Sequence, residues 1–216
     1  MTEHDPFSAG AVRAAYDAAA ADYVREFGDD LDALPLDRAM LDAGWDAAGG
    51  GGWALEAGCG PAPAADYLAG RADRVVGLDL SATMLATARR RVPHVRPVHA
   101  DLRRVPLRDR SCSLVVAYYT LQHVRRTDLA PALAELRRVL AAGGVLVAAT
   151  HLGEGDVVVE EFLGHVDHPF AGALHGRDEF VRALDAAGFR VEEERTRGPL
   201  PHEYASQRLY VLCRAA

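Results

Sequence analysis

Two hydrophobic rhythms run along this chain. From Ala9 to Phe27 the apolar positions Val12, Tyr16, Ala19, Ala20, Tyr23 and Phe27 recur at helical spacing. A second amphipathic segment, about 36–48, carries Leu41 and Trp45 on its apolar side and runs into four glycines, 49–52. That run predicts a flexible joint between an N-terminal helical flap and the main body. Beyond it, short apolar runs alternate with helical periods. Segments 53–57, 74–79, 95–100, 114–118 and 145–149 read as strands, and 62–69, 82–91 and 128–140 as helices. In the second of these helices Met84, Leu85 and Ala88 point inward. In the third, Leu129, Leu133, Leu136 and Leu140 form the stripe, Thr127 is the expected N-cap, and Gly143-Gly144 the expected stop. The alternation implies βαβ units around a parallel sheet. Segment 150–176 has no period. A helix at 178–187 ends at Gly188, and strands at 189–195 and 206–214 close the chain as an antiparallel pair. The expected fold is α/β: a doubly wound, seven-stranded, mostly parallel sheet with an antiparallel last strand, helices on both faces and the N-terminal flap.

A length of 216 residues suits one domain. Within it, 1–50 would be the flap, 51–150 a ligand-binding core, and 151–216 the acceptor-side segment and final strands. The net charge of −7 lacks the basic excess of a general nucleic-acid binder. All 24 basic residues are arginine. Without lysine there is no P-loop lysine, no Schiff base and no lysine nucleophile. Three scattered cysteines, Cys59, Cys112 and Cys213, give neither a disulfide framework nor a zinc pattern. No signal-peptide pattern and no membrane-length apolar run is present, so a cytoplasmic protein with no membrane partner is expected.

Parallel α/β sheets bind ligands at the carboxyl ends of their strands. After the first strand, Gly58 and Gly60 let the backbone approach a ligand, and the next helix is expected to present free N–H groups. After the second, Asp79 can accept two hydrogen bonds from a ribose diol. After the third, Asp101 and the Leu102 amide can read an adenine edge. Together these ends describe an adenosine pocket. A dinucleotide fingerprint needs a third glycine. Here Gly60 is followed by Pro61, Ala62 and Pro63, which counts against a nicotinamide cofactor.

The ordered set ALEAGCGPAP at 54–63, VVGLDLSATML at 75–85, HADLRRVPLRDRSCSLVVAYYTLQHV at 99–124 and LRRVLAAGGVLVAAT at 136–150 resembles the class I S-adenosylmethionine (SAM) dependent methyltransferases, specifically their small-molecule, actinomycete-type group. YDAAAADYVREF at 16–27 resembles the helix that closes over SAM in that family. The resemblance implies a Rossmann-like fold, SAM as cofactor with S-adenosylhomocysteine (SAH) as product, and no metal. It implies that Glu56, Gly58 and Gly60 line the methionine end, with Glu56 near the ammonium. Asp79 would hold the ribose, with Leu80 and Met84 packing nearby, and Asp101 and Leu102 would meet the adenine. Tyr118 would lie beside the sulfonium, and Tyr16 and Tyr23 would close the lid. Ala62 departs from the third glycine of many members, and its methyl is expected to crowd the methionine end.

A hydroxyl or protonated amine acceptor gains from a base, and histidine suits neutral pH. His151, after the fifth strand, is the first candidate, and His123, after the fourth, the second. His202 and Glu203 are further polar candidates in the 198–205 loop. Tyr16 and Tyr23 are seven apart, a spacing that plain helix packing also produces. His165, His168 and His175 match no common zinc spacing. The Asn/Asp-Pro-Pro-Tyr/Phe motif of many nucleic-acid and protein amine methyltransferases is absent, as are a Pro-Cys pair for cytosine attack and an acidic pair for magnesium. The reading is therefore methyl transfer to oxygen or nitrogen of a small organic acceptor, in a monomer or homodimer. The alternatives are a SAM-binding regulator or partner subunit, and a nicotinamide-dependent reductase.

Overall fold

A computed structural model describes residues 5–28, 30–201 and 203–216. His202 lies outside the described residues, as do the side chains of Asp30 and Asp32. Helices α1 (Ala9–Phe27), α2 (Asp30–Ala33) and α3 (Pro35–Ala47) precede strand β1 (Trp53–Ala57). Then come α4 (Pro63–Ala69), β2 (Arg74–Asp79), α5 (Ala82–Arg91), β3 (Arg96–His99), β4 (Cys112–Tyr118), a single 3-10 turn (Leu121–His123), α6 (Arg126–Val139) and β5 (Leu140–Leu152). The chain ends with β6 (Asp156–Val159), β7 (Phe170–Ala173), α7 (Arg177–Ala186), β8 (Phe189–Arg197) and β9 (Gln207–Ala215).

Seven strands form one sheet in the order β3-β2-β1-β4-β5-β9-β8. All neighbours are parallel except β9, which runs antiparallel to both β5 and β8. The alternating pleat explains the helices on both faces. On β1, Leu55 and Ala57 face a core with Leu129, Leu133 and Leu136 of α6 and Phe180 and Leu184 of α7. Ala54 faces the other core, with Met40, Leu41 and Trp45 of α3, Leu68 of α4 and Leu85 of α5. The chain leaves β1 toward β2 and β3, then returns to β4 on the opposite side of β1. This reversal is the switch point where the crevice opens.

Several expectations change. Gly49–Gly52 is a tied turn rather than a loose joint. Ser113 Oγ donates to Gly51 O at 2.6 Å, and Gly52 N donates to an Asp73 carboxylate oxygen at 3.2 Å. Helix α3 belongs to the core, so the covering element is α1. Helix α6 starts at Arg126, so Thr127 lies inside it and caps nothing. Gly143-Gly144 does not stop that helix: the chain enters β5 at Leu140, and the glycines form an irregularity in its pairing with β4. The aperiodic 150–176 segment contains the β6–β7 hairpin. Arg126 ties it down, donating to Gly155 O at 2.6 Å and Asp156 Oδ1 at 3.2 Å, and to Glu179 and Leu174 O.

Candidate functional site

Two cavities meet over the switch point. The smaller, about 100 Å3, lies at the ends of β1 to β4. Its walls include Tyr16, Tyr23, Gly58, Gly60, Asp79, Leu80, Met84, Asp101, Leu102 and Tyr118, every residue expected at a cofactor site except Glu56. The larger, about 580 Å3, is lined by Glu56, by α1 to α3, by the hairpin and by the 203–208 region. Tyr16, Tyr23, Gly58, Gly60, Tyr118, Tyr119 and His123 border both.

The glycine turn is built for close packing. At Gly58 (φ +70°) a Cβ would sit 2.1 Å from Thr120 Oγ1. At Gly60 (φ +51°) it would meet only Tyr23, at 3.9 Å, and would project into the open space that both cavities share. The turn's donors are spent internally, against expectation. Gly58 N and Cys59 N donate to Leu78 O at 2.7 and 2.9 Å, Gly60 N to Asp79 Oδ2 at 2.7 Å, and Ala65 N to Glu56 Oε2 at 2.7 Å. A pyrophosphate would find no set of free amides here. Ala62 does not crowd the site either. It adopts φ +67°, and its methyl is fully buried in the core, lining neither cavity.

Three carboxylates define the polar floor. Burial pushes Glu56 up to about 8 despite the Ala65 and Ala64 amides, and Asp79 and Asp66 add to the rise. Burial also raises Asp79, against hydrogen bonds from the Ser81 and Gly60 amides. Burial would raise Asp101 too, but Arg103 outweighs it and holds it low: Arg103 Nε and Nη2 donate to Oδ1 and Oδ2 at 3.0 and 2.6 Å.

Helix α1 roofs the smaller cavity. Asp17 pins it to the start of α5, accepting from Ser81 Oγ at 2.6 Å and Thr83 N at 3.1 Å. Tyr16 Oη and His123 Nε2 are 2.9 Å apart. The Tyr16 ring meets those of Tyr23, Phe162 and Phe170 at 5.2–5.8 Å, so its position reflects both packing and roofing. His151 lies near the carboxyl end of β5, with Nδ1 2.7 Å from Ser206 Oγ and its ring near Tyr119 and Tyr204. Burial lowers both His123 and His151 to about 4, and Arg208 adds to the shift at His151. Both are neutral at pH 7.

Sequence reasoning picked out Glu203 of the larger cavity's polar wall and missed its other members, Asp37, Arg197 and Tyr210. Buried Asp37 accepts from Tyr210 Oη at 2.7 Å, and Tyr210 Oη is 2.5 Å from Tyr119 Oη. Arg197 donates to both tyrosines and, at 2.6 and 2.7 Å, to the Glu203 carboxylate. A Tyr-Tyr doublet at a strand end was the one available signal. The three histidines weighed as metal ligands are apart: His165 pairs with Asp22 at 2.9 Å, buried His175 with Thr150 at 3.0 Å, and His168 is exposed. Among the described residues no group of three His, Cys, Asp or Glu is placed to hold a metal.

The residues fit an adenosyl group carrying an amino acid. Among the described residues no cation meets buried Glu56 to lower its pKa, Gly60 leaves a cradle that a side chain would fill, and Asp79 keeps lone pairs beside the cavity.

Residues 55–148 match the family model for a methyltransferase domain. A probable S-adenosylmethionine-dependent methyltransferase of Mycolicibacterium smegmatis is 34% identical over 139 residues, covering 64% of this chain and 52% of that protein. The malonyl-acyl-carrier-protein O-methyltransferase of Enterobacter lignolyticus is also 34% identical over 139 residues, covering 64% and 54%. The chain thus spans about half the length of these curated relatives. Among solved structures, a SAM-dependent methyltransferase of Leishmania major superposes with a TM-score of 0.77 at 16% identity, over 97% of this chain and 87% of that one. The 1,6-didemethyltoxoflavin N1-methyltransferase of Burkholderia thailandensis, solved with SAH bound, gives 0.71 at 17% identity, over 100% and 92%. Residues 55–148 thus match a methyltransferase domain, and the chain shares the fold of the solved SAM-dependent methyltransferase above.

Proposed function

We propose that the protein transfers the methyl group of SAM to an oxygen or nitrogen of a small organic acceptor. The observation that carries this is the junction of the two cavities at Gly58, Gly60, Tyr118 and Tyr119: a carboxylate-floored pocket opens into a space of about 580 Å3, the size of a small-molecule site. Bound SAM supplies a methyl group already activated on a positively charged sulfur. Glu56 faces its ammonium, Asp79 its ribose, and Asp101 with the Leu102 amide its adenine, while Leu80 and Met84 pack beside it. Tyr118 borders the reacting end, and Tyr16 and Tyr23 exclude water from above. His151, neutral, stands on the acceptor side to hydrogen-bond its O–H or N–H group, while His123, whose Nε2 meets Tyr16 Oη, steadies the roof. Holding the reactants in line is worth on the order of 7–11 kcal/mol, so positioning supplies most of the catalysis.

The larger cavity joins apolar walls from Phe27, Leu31, Leu34, Val157 and Phe162 to the polar side at Asp37, His151 and Arg208. This favours an acceptor with an apolar body and one polar edge. The similarity to a malonyl O-methyltransferase brings carboxylate oxygens into the range to be tried. The test offers phenols, aliphatic amines and short carboxylic acids together with SAM labelled in its methyl group. Label in one acceptor class is the expected result. SAH binding with label in none would favour the regulator reading.

A further inference from the structure

The polar wall contains a one-way hydrogen-bonded chain. Tyr210 has a single hydroxyl proton, and it goes to Asp37 Oδ1 at 2.7 Å. In the 2.5 Å contact between the two hydroxyls, Tyr119 must therefore be the donor. Arg197 fixes the polarity, because a guanidinium only donates: Nε to Tyr210 Oη at 2.9 Å, Nη2 to Tyr119 Oη at 3.2 Å. A phenol oxygen carries one proton and two acceptor positions. Tyr210 has all three engaged. Tyr119 has one acceptor position left, on a residue that borders both cavities. It is also held at φ +52°, a strained conformation for a tyrosine, as functional positions often are.

We propose that Tyr119, Tyr210 and Asp37 form a relay that carries the proton of a hydroxyl acceptor out of the larger cavity and onto a buried carboxylate. The inference rests on the methyl-transfer reading and names the base for it. The acceptor's O–H bond breaks and its oxygen keeps the bonding pair. That proton goes to Tyr119 Oη, the Tyr119 proton to Tyr210 Oη, and the Tyr210 proton to Asp37 Oδ1. Nothing is oxidised, and the proton later leaves Asp37 for solvent. Among the described residues, the groups facing Asp37 are Tyr210 of β9, Arg197 of β8 at 3.9 Å, Glu203 from the loop before β9, Tyr118 at the end of β4 and Tyr119 just after it. Burial raises Asp37 to about 6, opposed by Tyr210 and Arg197 and aided by Glu203. It is therefore ionised at neutral pH, and a stronger base than His151 or His123 at about 4. Burial holds both phenols well above their usual range, so they pass protons on without resting as phenolates.

The test uses phenol as acceptor, with anisole as the measured product, and carboxyl-resolved 13C NMR of the labelled protein. The wild-type rate should rise with pH through an inflection near Asp37's value of about 6. Asp37→Asn keeps an oxygen for Tyr210 to bond but cannot take the proton. It should lose about 10²–10⁴-fold in kcat and lose the inflection, with KM for phenol and affinity for SAH retained. Tyr119→Phe should lose as much while Asp37 still titrates. In the NMR arm, which needs no turnover, Asp37 should titrate near its value of about 6 and move upward in Tyr210→Phe. A wild-type Asp37 carboxyl that does not titrate between about pH 5 and 7 overturns the relay, as does an Asp37→Asn protein with wild-type rate and inflection. Failure of the methyl-transfer reading looks different: no SAH binding, or no label in any acceptor.

Discussion

Glu56 is buried and Asp79 half-buried at neighbouring strand ends, yet they make different demands. Asp79 is anchored by two amides, at Gly60 and Ser81, and lines the smaller cavity, where we propose it meets the ribose. Asp79→Ala should weaken SAH binding by about 10–100-fold, the loss of one or two charged hydrogen bonds; unchanged affinity in calorimetry would remove it from the ribose. Glu56, raised to about 8, holds a proton at pH 7 that an unfolded glutamate would release. Its contribution to stability is therefore fully present below the unfolded value and is lost as pH rises toward 8. Without ligand, the midpoint of thermal unfolding should fall over that range, and Glu56→Gln should flatten the fall. An ammonium beside Glu56 reverses its preference, so SAH binding at pH 7 should release a proton. Binding enthalpies measured in two buffers of different ionisation enthalpy should differ; equal enthalpies would place the ammonium elsewhere. Ala62→Gly should change stability by less than about 1 kcal/mol: relief of roughly 1–2 kcal/mol of left-handed strain offsets the lost methyl burial and the added chain entropy. That Asp79 and Asp101 border the crevice was legible in the sequence, because a position at or just after the end of a parallel strand suffices to place them there. Asp37 was not: its partners Tyr210 and Arg197 lie 173 and 160 positions away, and only the sheet order brings them together.

The elements divide by what fixes them. The βαβ core was readable because its central strands β1, β2, β4 and β5 are buried over most of their length and appear as short, largely apolar runs. The β6–β7 hairpin was not readable, because its strands are only four residues long. It is held from outside, by Arg126 and by contact with α1 rather than by its own pattern. Helix α1 combines both cases. Its periodicity is plain, but its role as a roof depends on Asp17 reaching Ser81 and Thr83. Asp17→Ala should loosen α1 by about 1–2 kcal/mol, read as faster amide exchange in α1 with protection of β1 and β4 unchanged. Equal loss across the sheet would mean that α1 is part of the cooperative core instead of a separable cover.

At the scale of the molecule, we propose that the crevice between β1 and β4 is an adenosyl site shaped for SAM rather than for a dinucleotide. The amides of the glycine turn are spent on Leu78 and Asp79, and Glu56 waits for a cation. Among the described residues no helix is long and apolar enough to cross a membrane. The most direct measurement is thermal unfolding with SAM, SAH or NADH, each at about 100 times the dissociation constant expected for its own site. A ligand of the native state then adds about 2.7 kcal/mol, a rise of roughly 5–10 °C for a chain this long. The account predicts that rise with SAM and SAH and none with NADH. A rise with NADH alone, or none with either SAM or SAH, would contradict it.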